Sequence, residues 1–254
     1  DVIWQHSVQG KNDAKNISLH HNHTLLYRRS ERFVLGKVPR TEENNVNYSN
    51  PDKDPKGDWR SGDVRSPNLR ENLLYQVKTP SGKIIDPPEN GWRWSEAAFW
   101  EKYKTGEISF VAHETRVLRK IYLREQGGRV PESIWFGNDV GTTREASNEL
   151  KEIFGELTFD TPKPSRLIKR ILQIASDVNS IVLDSFAGSG TTAHAVLKQN
   201  AEDGGNRRFI LVEIDDGIAS QVTAERVRRV AQGYTNAKGE QVGGLGGGFQ
   251  FCKL

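Results

Sequence analysis

Residues 181–214 constrain this chain more than any other stretch, because so few folds accommodate their order. A short apolar run, Ile181-Val182-Leu183, ends on an acid, Asp184. A turn of mostly small residues follows, Phe186-Ala187-Gly188-Ser189-Gly190-Thr191-Thr192, and then a helix-compatible segment from Ala193 to Gln199. A second apolar run, Phe209 to Val212, ends on Glu213. Strand, glycine turn, helix, strand and acid make one βαβ unit of the kind that binds a nucleoside-containing cofactor. Gly188 and Gly190 tolerate positive φ and let backbone N–H groups approach a ligand with no Cβ in the way. Glu213, at the end of the second strand, can accept hydrogen bonds from both hydroxyls of a ribose.

No lysine follows the glycines, so the phosphate-cradling P-loop pattern fails. Gly188, Gly190 and Ala193 fit a dinucleotide fingerprint, but too little chain follows Gly190 for the further βαβ units that such a fold needs. A nicotinamide-dependent oxidoreductase therefore keeps only the glycine spacing in its favour.

The run from Asp184 through Phe186-Ala187-Gly188-Ser189-Gly190-Thr191-Thr192-Ala193-His194-Ala195-Val196 closely resembles the S-adenosylmethionine-binding motif of DNA amino-methyltransferases. The likeness is to the circularly permuted kind, in which the cofactor half follows the catalytic half. A resemblance to the modification subunits of Type III restriction–modification systems covers nearly the whole chain. It includes Phe159-Asp160-Thr161-Pro162-Lys163-Pro164, the run from Glu202 to Val212, and the glycine-rich tail ending Gly248-Phe249.

The resemblance implies an α/β fold: a Rossmann-like, S-adenosylmethionine-dependent methyltransferase sheet, permuted and incomplete, with an inserted aromatic-rich target-recognition region. It divides the chain into residues 1–35 as the end of the catalytic half, 36–150 as target recognition and 151–254 as the cofactor half. It implies S-adenosylmethionine as cofactor and methyl transfer to an exocyclic base amine of DNA, N6 of adenine before the chemically similar N4 of cytosine. Thr161, Lys163 and Pro164 would close over the methionine part, and Phe186, Ala187, Gly188, Ser189, Gly190, Thr191 and Thr192 would bind it through backbone groups. Glu213 would anchor the ribose. Asp184 would orient the turn or the cofactor's amino group, or serve only as a structural turn acid. The implied partners are double-stranded DNA, a second copy in a homodimer and a restriction subunit with nuclease and helicase activity. A cofactor- and DNA-binding fragment without the catalytic loop is the competing expectation.

That loop, Asp-Pro-Pro-aromatic, holds the target amine and stacks on the flipped base, and the permuted order places it upstream of residue 1. Asp86-Pro87-Pro88 has its first three residues, but Glu89 cannot stack and a hairpin turn precedes it, so Asp86 is read as a decoy. No residue of this chain is then assigned as catalytic. The chain has no methionine and opens on Asp1 within a strand-like run, which suggests a longer protein whose amino-terminal part lies upstream.

Composition sets the outer limits. A net charge of +3 with 27% charged residues fits local basic patches on a balanced background. The lone Cys252 excludes a disulfide framework or a cysteine-rich zinc site within one chain, and Phe251 before it does not fit the proline-cysteine nucleophile of cytosine C5 chemistry. No apolar run nears the ~18 residues that span a membrane, so the expected compartment is the cytoplasm. His20, His21 and His23 lack accompanying ligands, and no metal is expected.

Along the chain, Val2–Trp4 and a run over 24–28 are expected strands, joined by a polar loop with Gly10, Lys11, Asn12, Asp13 and Lys15 that the resemblance puts near DNA. Residues 42–58 read as loop. Pro80-Ser81-Gly82 marks a hairpin, and Ser95 caps a helix through Tyr103. Thr142 or Thr143 caps a helix through Phe154, and Leu167, Ile168, Ile171, Leu172 and Ala175 mark the next. Ile218, Val222, Val227 and Val230 mark a helix with a basic outer face, before a flexible glycine tail and an edge strand at 249–252. Arg116, Arg119, Lys120 and Arg124, with Tyr122 among them, are alone no more than a charged strand face. The resemblance makes them DNA contacts, together with Trp92 and Arg93.

Overall fold

The computed structural model describes residues 1–10 and 15–253. Lys11, Asn12 and Asp13 of the polar loop lie outside the described residues. The elements in chain order are β1 (Val2–Gln5), β2 (His21–Thr24), β3 (Trp59–Gly62), β4 (Val77–Lys78), β5 (Ile84–Ile85), α1 (Glu96–Lys104), β6 (Ile108–Val111), β7 (Arg116–Tyr122), β8 (Ile134–Trp135), α2 (Gly137–Val140) and α3 (Thr143–Phe154). Then come α4 (Ser165–Ala175), β9 (Ile181–Asp184), α5 (Thr191–Asp203), β10 (Arg208–Leu211), α6 (Ala224–Gln232), β11 (Gly233–Thr235) and β12 (Gln241–Gly243). The result is a mixed α/β protein with small sheets, divided into two units: 1–38 with 129–254, and 39–128. Residues 129–150 thus pack with the larger unit.

In the larger unit, β9 and β10 run parallel in register, Ile181 beside Arg208 and Asp184 beside Leu211, so the two strand ends lie level. The helix between them makes the crossover that parallel neighbours require. Val182 and Phe209 turn inward onto Leu172 of α4 and Ala195 and Val196 of α5. Their strand neighbours Ile181, Leu183 and Ile210, pointing to the other face, stay half exposed. A second cluster sets Ala193 and Leu197 of α5 against Val227, Val230 and Ala231 of α6 and Ile153 of α3. The helices begin where their caps say: Thr142 Oγ1 accepts from Glu145 N–H at 3.2 Å to start α3.

β1 pairs antiparallel with β2 and parallel with β8. The second expected strand is displaced. β2 ends at Thr24 because Thr24 is opposite Val2, where the β1 ladder begins, and Leu25, Leu26 and Tyr27 are exposed instead. The tail also differs. Leu245 and Gly246 donate to the carbonyls of Val230 and Ala231 at 2.9 and 3.0 Å, and Leu245 and Phe249 pack beside α6, so the glycines permit close docking; 249–252 form no strand.

The smaller unit has an antiparallel β3-β7-β6 sheet and the β4–β5 hairpin. Most of its aromatics pack on one another: Trp92 and Phe99 sit at the centre, with Tyr75, Trp94, Trp100, Tyr103 and Phe110 around them. Among the described residues, no helix is long and apolar enough to cross a membrane, and no group of three or more His, Cys, Asp or Glu is arranged to hold a metal ion.

Candidate functional site

The end of β9 is organised by one carboxylate. Asp184 Oδ1 accepts from Phe186 N–H at 3.1 Å and its Oδ2 accepts from Thr192 Oγ1 at 2.6 Å. The acid thus bends the chain into the glycine turn and holds that turn to the start of α5. The turn closes when Gly190 N–H donates to Ala187 C=O at 2.8 Å. Gly188 (φ +49°) and Gly190 (φ +73°) take left-handed backbone that other residues adopt only at a cost. Space is short as well, because a Cβ on Gly188 would lie 2.9 Å from the ring of Phe159.

An open cleft of about 220 Å³ lies over this turn. Thr161, Lys163, Asp184, Phe186, Ala187, Gly188, Ser189, Thr191 and Thr192, all expected at the cofactor, line it together with Phe159, Pro162 and Ile168. The first N–H groups of α5, which have no partners within the helix, lie at this turn, and the positive end of the helix dipole is here. On the other lip, the Lys163 ammonium is exposed and only 3.5 Å from a Thr161 carbonyl. A carboxylate would be held well between the two.

Three predicted residues lie outside the lining. Pro164 is buried at the N-terminus of α4, against the backbone of Gly141. Gly190 is the N-cap of α5. Glu213 Oε2 accepts from Gly188 N–H at 2.8 Å and Oε1 from Asp215 N–H at 3.1 Å, so it braces the turn. Each carboxylate oxygen can accept more than one hydrogen bond, so both keep capacity for a ligand. Beside it, Ile214 is 98% exposed, and at the turn Phe186 is 90% exposed.

Residues 1–224 match the DNA methylase family of N6 and N4 methyltransferases. The chain belongs to that family. The chain is 32% identical over 231 residues to the StyLTI Mod subunit, a Type III restriction-modification enzyme of Salmonella typhimurium, covering 89% of the chain and 35% of the relative. It is 27% identical over 286 residues to the Type II methyltransferase M.KpnI of Klebsiella pneumoniae, covering 95% of the chain and 65% of the relative. It is 31% identical over 160 residues to the Type III EcoP15I Mod subunit of Escherichia coli, covering 61% and 24%. The chain therefore spans between about a quarter and two thirds of the length of these relatives.

The basic residues of the smaller unit do not form one patch. Alternation along β7 puts Arg116, Lys120 and Tyr122 on one face and Arg119 on the other. Lys120 is buried, ion-paired to Asp52 and, at 2.6 Å, to Asp54, with its ammonium 4.8 Å over the Trp59 ring. Tyr122 is buried too and donates to Asp54 Oδ2 at 2.9 Å. Trp92 is a core residue whose indole donates to Tyr75 C=O at 2.8 Å. These three are corrected from DNA contacts to structural residues, because each polar atom is already engaged inside the unit. Arg119 is 3.4 Å from Glu107 and lies over Trp94. Arg93, Arg116 and Arg124 are exposed.

Asp86 is also exposed and accepts from Gln76 Nε2 at 2.8 Å beside the β4–β5 hairpin. Of the histidines at which no metal is expected, His20 meets Ser18 Oγ at 2.9 Å and His23 meets Asp1 at 3.0 Å.

The helix expected to carry a basic outer face turns one of its arginines inward. Arg226 is 0% exposed. The sign was in the spacing: Val222, Arg226 and Val230 fall at i, i+4 and i+8, on one helical stripe.

Proposed function

We propose that this chain holds S-adenosylmethionine in the cleft over the glycine turn and belongs to an enzyme that methylates an exocyclic base amine of DNA, N6 of adenine, within a restriction–modification system. The observation that carries this is the level pair of strand ends, one with the glycine turn and the other with Glu213 against it. The residues present fit the cofactor. Glu213 has acceptor capacity left for two ribose hydroxyls, Ile214 offers an exposed apolar side chain to a purine face, and Lys163 with the α5 N-terminus suits the methionine carboxylate. The cleft is smaller than the ~300–1,000 Å³ of typical ligand pockets, so it takes the amino-acid end while the nucleoside lies over Glu213.

The bound sulfonium would supply the methyl group, in a direct displacement with no covalent enzyme intermediate. This chain's part is to bind and orient. Asp184, which holds Phe186 N–H and the Thr192 hydroxyl, keeps the turn fixed while the ligand exchanges. The target base must leave the duplex, since its amine is otherwise paired. We place target recognition in the 39–128 unit and read β9-α5-β10 as part of a permuted Rossmann-like methyltransferase sheet. The proposed partners are double-stranded DNA, a second copy of the protein and a restriction subunit, in the cytoplasm.

Titration calorimetry tests the cofactor. S-adenosylhomocysteine should bind one to one and NAD should not; binding of NAD alone would overturn the assignment. Hydrolysis of DNA methylated by the full-length enzyme should release N6-methyladenine, and N4-methylcytosine would overturn the choice of base.

A further inference from the structure

Behind the glycine turn, on the side away from solvent, lies a charge that the cofactor site does not itself require. The Arg226 guanidinium is fully buried in α6, and burial pushes it down to about 10, still charged near neutrality. Its Nη1 donates to Ser189 C=O at 3.3 Å, Ser189 Oγ at 3.1 Å and Thr191 Oγ1 at 2.9 Å. Its Nη2 lies 3.3 Å from Glu149 Oε2 and 3.1 Å from His194 Nδ1. Glu149, on α3, turns the other way as well. Its carboxylate accepts from Ser165 N–H at 3.1 Å and from Ser165 Oγ at 2.8 Å, at the first turn of α4. Thr191 Oγ1 closes the circuit by donating to Lys163 C=O at 3.1 Å.

Both ends of this ion pair thus reach cleft-forming segments: residues 161–165 through Glu149 and the 188–192 turn through Arg226. Burying a guanidinium is costly before any partner offsets it, and here Nε has no hydrogen bond among the described residues. Apolar side chains would glue four helices together at less cost. What the pair adds is a fixed spacing between the two lips, one carrying Lys163 and the other the N–H groups of α5.

We propose that Glu149 and Arg226 are positioning residues that set the separation of the two cleft lips and thereby the affinity for the amino-acid end of the cofactor. This rests on the cofactor assignment above. Two ligands separate the effect from general stability: S-adenosylhomocysteine, which has the amino-acid part, and 5′-methylthioadenosine, which lacks it. Neither residue touches the ribose acid. Arg226→Gln and Glu149→Gln should each weaken S-adenosylhomocysteine by about tenfold, with methylthioadenosine held within about twofold. Arg226→Lys, which keeps the charge but not the fork, should fall between. Where Arg226→Gln fails to fold, Ser165→Ala removes one outer hydrogen bond and should weaken only S-adenosylhomocysteine, by severalfold. Equal losses for both ligands, or no loss for either in folded variants, overturn the positioning role alone. Failure of the unaltered protein to bind S-adenosylhomocysteine overturns the cofactor assignment and this proposal with it.

Discussion

Glu213 already holds two backbone N–H groups, those of Gly188 and Asp215, before any ligand arrives. Its substitution therefore needs a variant that spares the brace. Glu213→Gln keeps an oxygen for Gly188, the half of the brace that holds the turn, but turns its amide NH2 toward Asp215 N–H and loses the charge, so cofactor affinity should fall by about 1–3 kcal/mol with a smaller loss of stability. Calorimetry and a thermal melt check this, and unchanged affinity would remove Glu213 from the ribose site. His194 supplies a second test at the same scale. Burial, then the nearby Arg226 and Lys198, hold its imidazole well below the usual 6.5, so it accepts from Arg226 as a neutral ring. The unfolded chain takes up a proton there near pH 6.5, whereas the native state resists it. Stability from this group is therefore complete above pH 6.5 and declines as pH falls below it. His194→Asn keeps an acceptor and drops the titration, so its urea midpoint should vary less between about pH 7.5 and 5. Parallel pH profiles would show that His194 does not contribute.

The glycine turn works as an element because its backbone and its surroundings both exclude a side chain. Gly204, which ends α5, offers the comparison: it too is left-handed, at φ +68°, but no atom lies within 4 Å of a Cβ there. Gly188→Ala and Gly204→Ala should both lose about 1–2 kcal/mol to the strained backbone. Only the first also displaces Phe159, so only it should lose cofactor affinity; equal affinities would mean that Phe159 yields freely. Elements of this kind were legible from the sequence because their signals are local. The acid-turn-glycine order placed β9, α5 and most of the cleft, and Ser95 and the Thr142-Thr143 pair marked where α1 and α3 begin, Thr142 being the cap. Long-range signals were not legible. Leu25-Leu26-Tyr27 has strand composition, yet pairing with β1 stops at Thr24. The spacing of Arg226 with Val222 and Val230 marks it as inward, but nothing local names its partner, because Glu149 is distant in sequence.

At the scale of the whole molecule, the chain forms two units with separate cores, and the middle one shows why charge runs mislead. A basic strand looks like a DNA surface when its residues are counted, but Arg116 and Lys120 share one face of β7 and only Arg116 is exposed there. Lys120 was indistinguishable from Arg116 in sequence because the carboxylates that bury it, Asp52 and Asp54, lie in a segment that reads as loop. The two carboxylates outweigh the downward pull of burial and raise the Lys120 ammonium, while Lys120 in turn holds Asp54 at about 2. Lys120→Ala should then act on folding, leaving Asp54 without its cation and lowering the melting temperature of the 39–128 unit. Replacing exposed Arg116 and Arg124 should instead leave the melt intact and weaken DNA binding, reducing its salt slope by about 0.9 for each phosphate that is no longer neutralised. Melting curves and binding isotherms across a salt series, run on both variants, tell these apart. A flattened salt slope for a well-folded Lys120→Ala would put that lysine back on the DNA surface. An unchanged slope for the double arginine variant would leave β7 as a structural strand whose outer charges serve only to keep it in water.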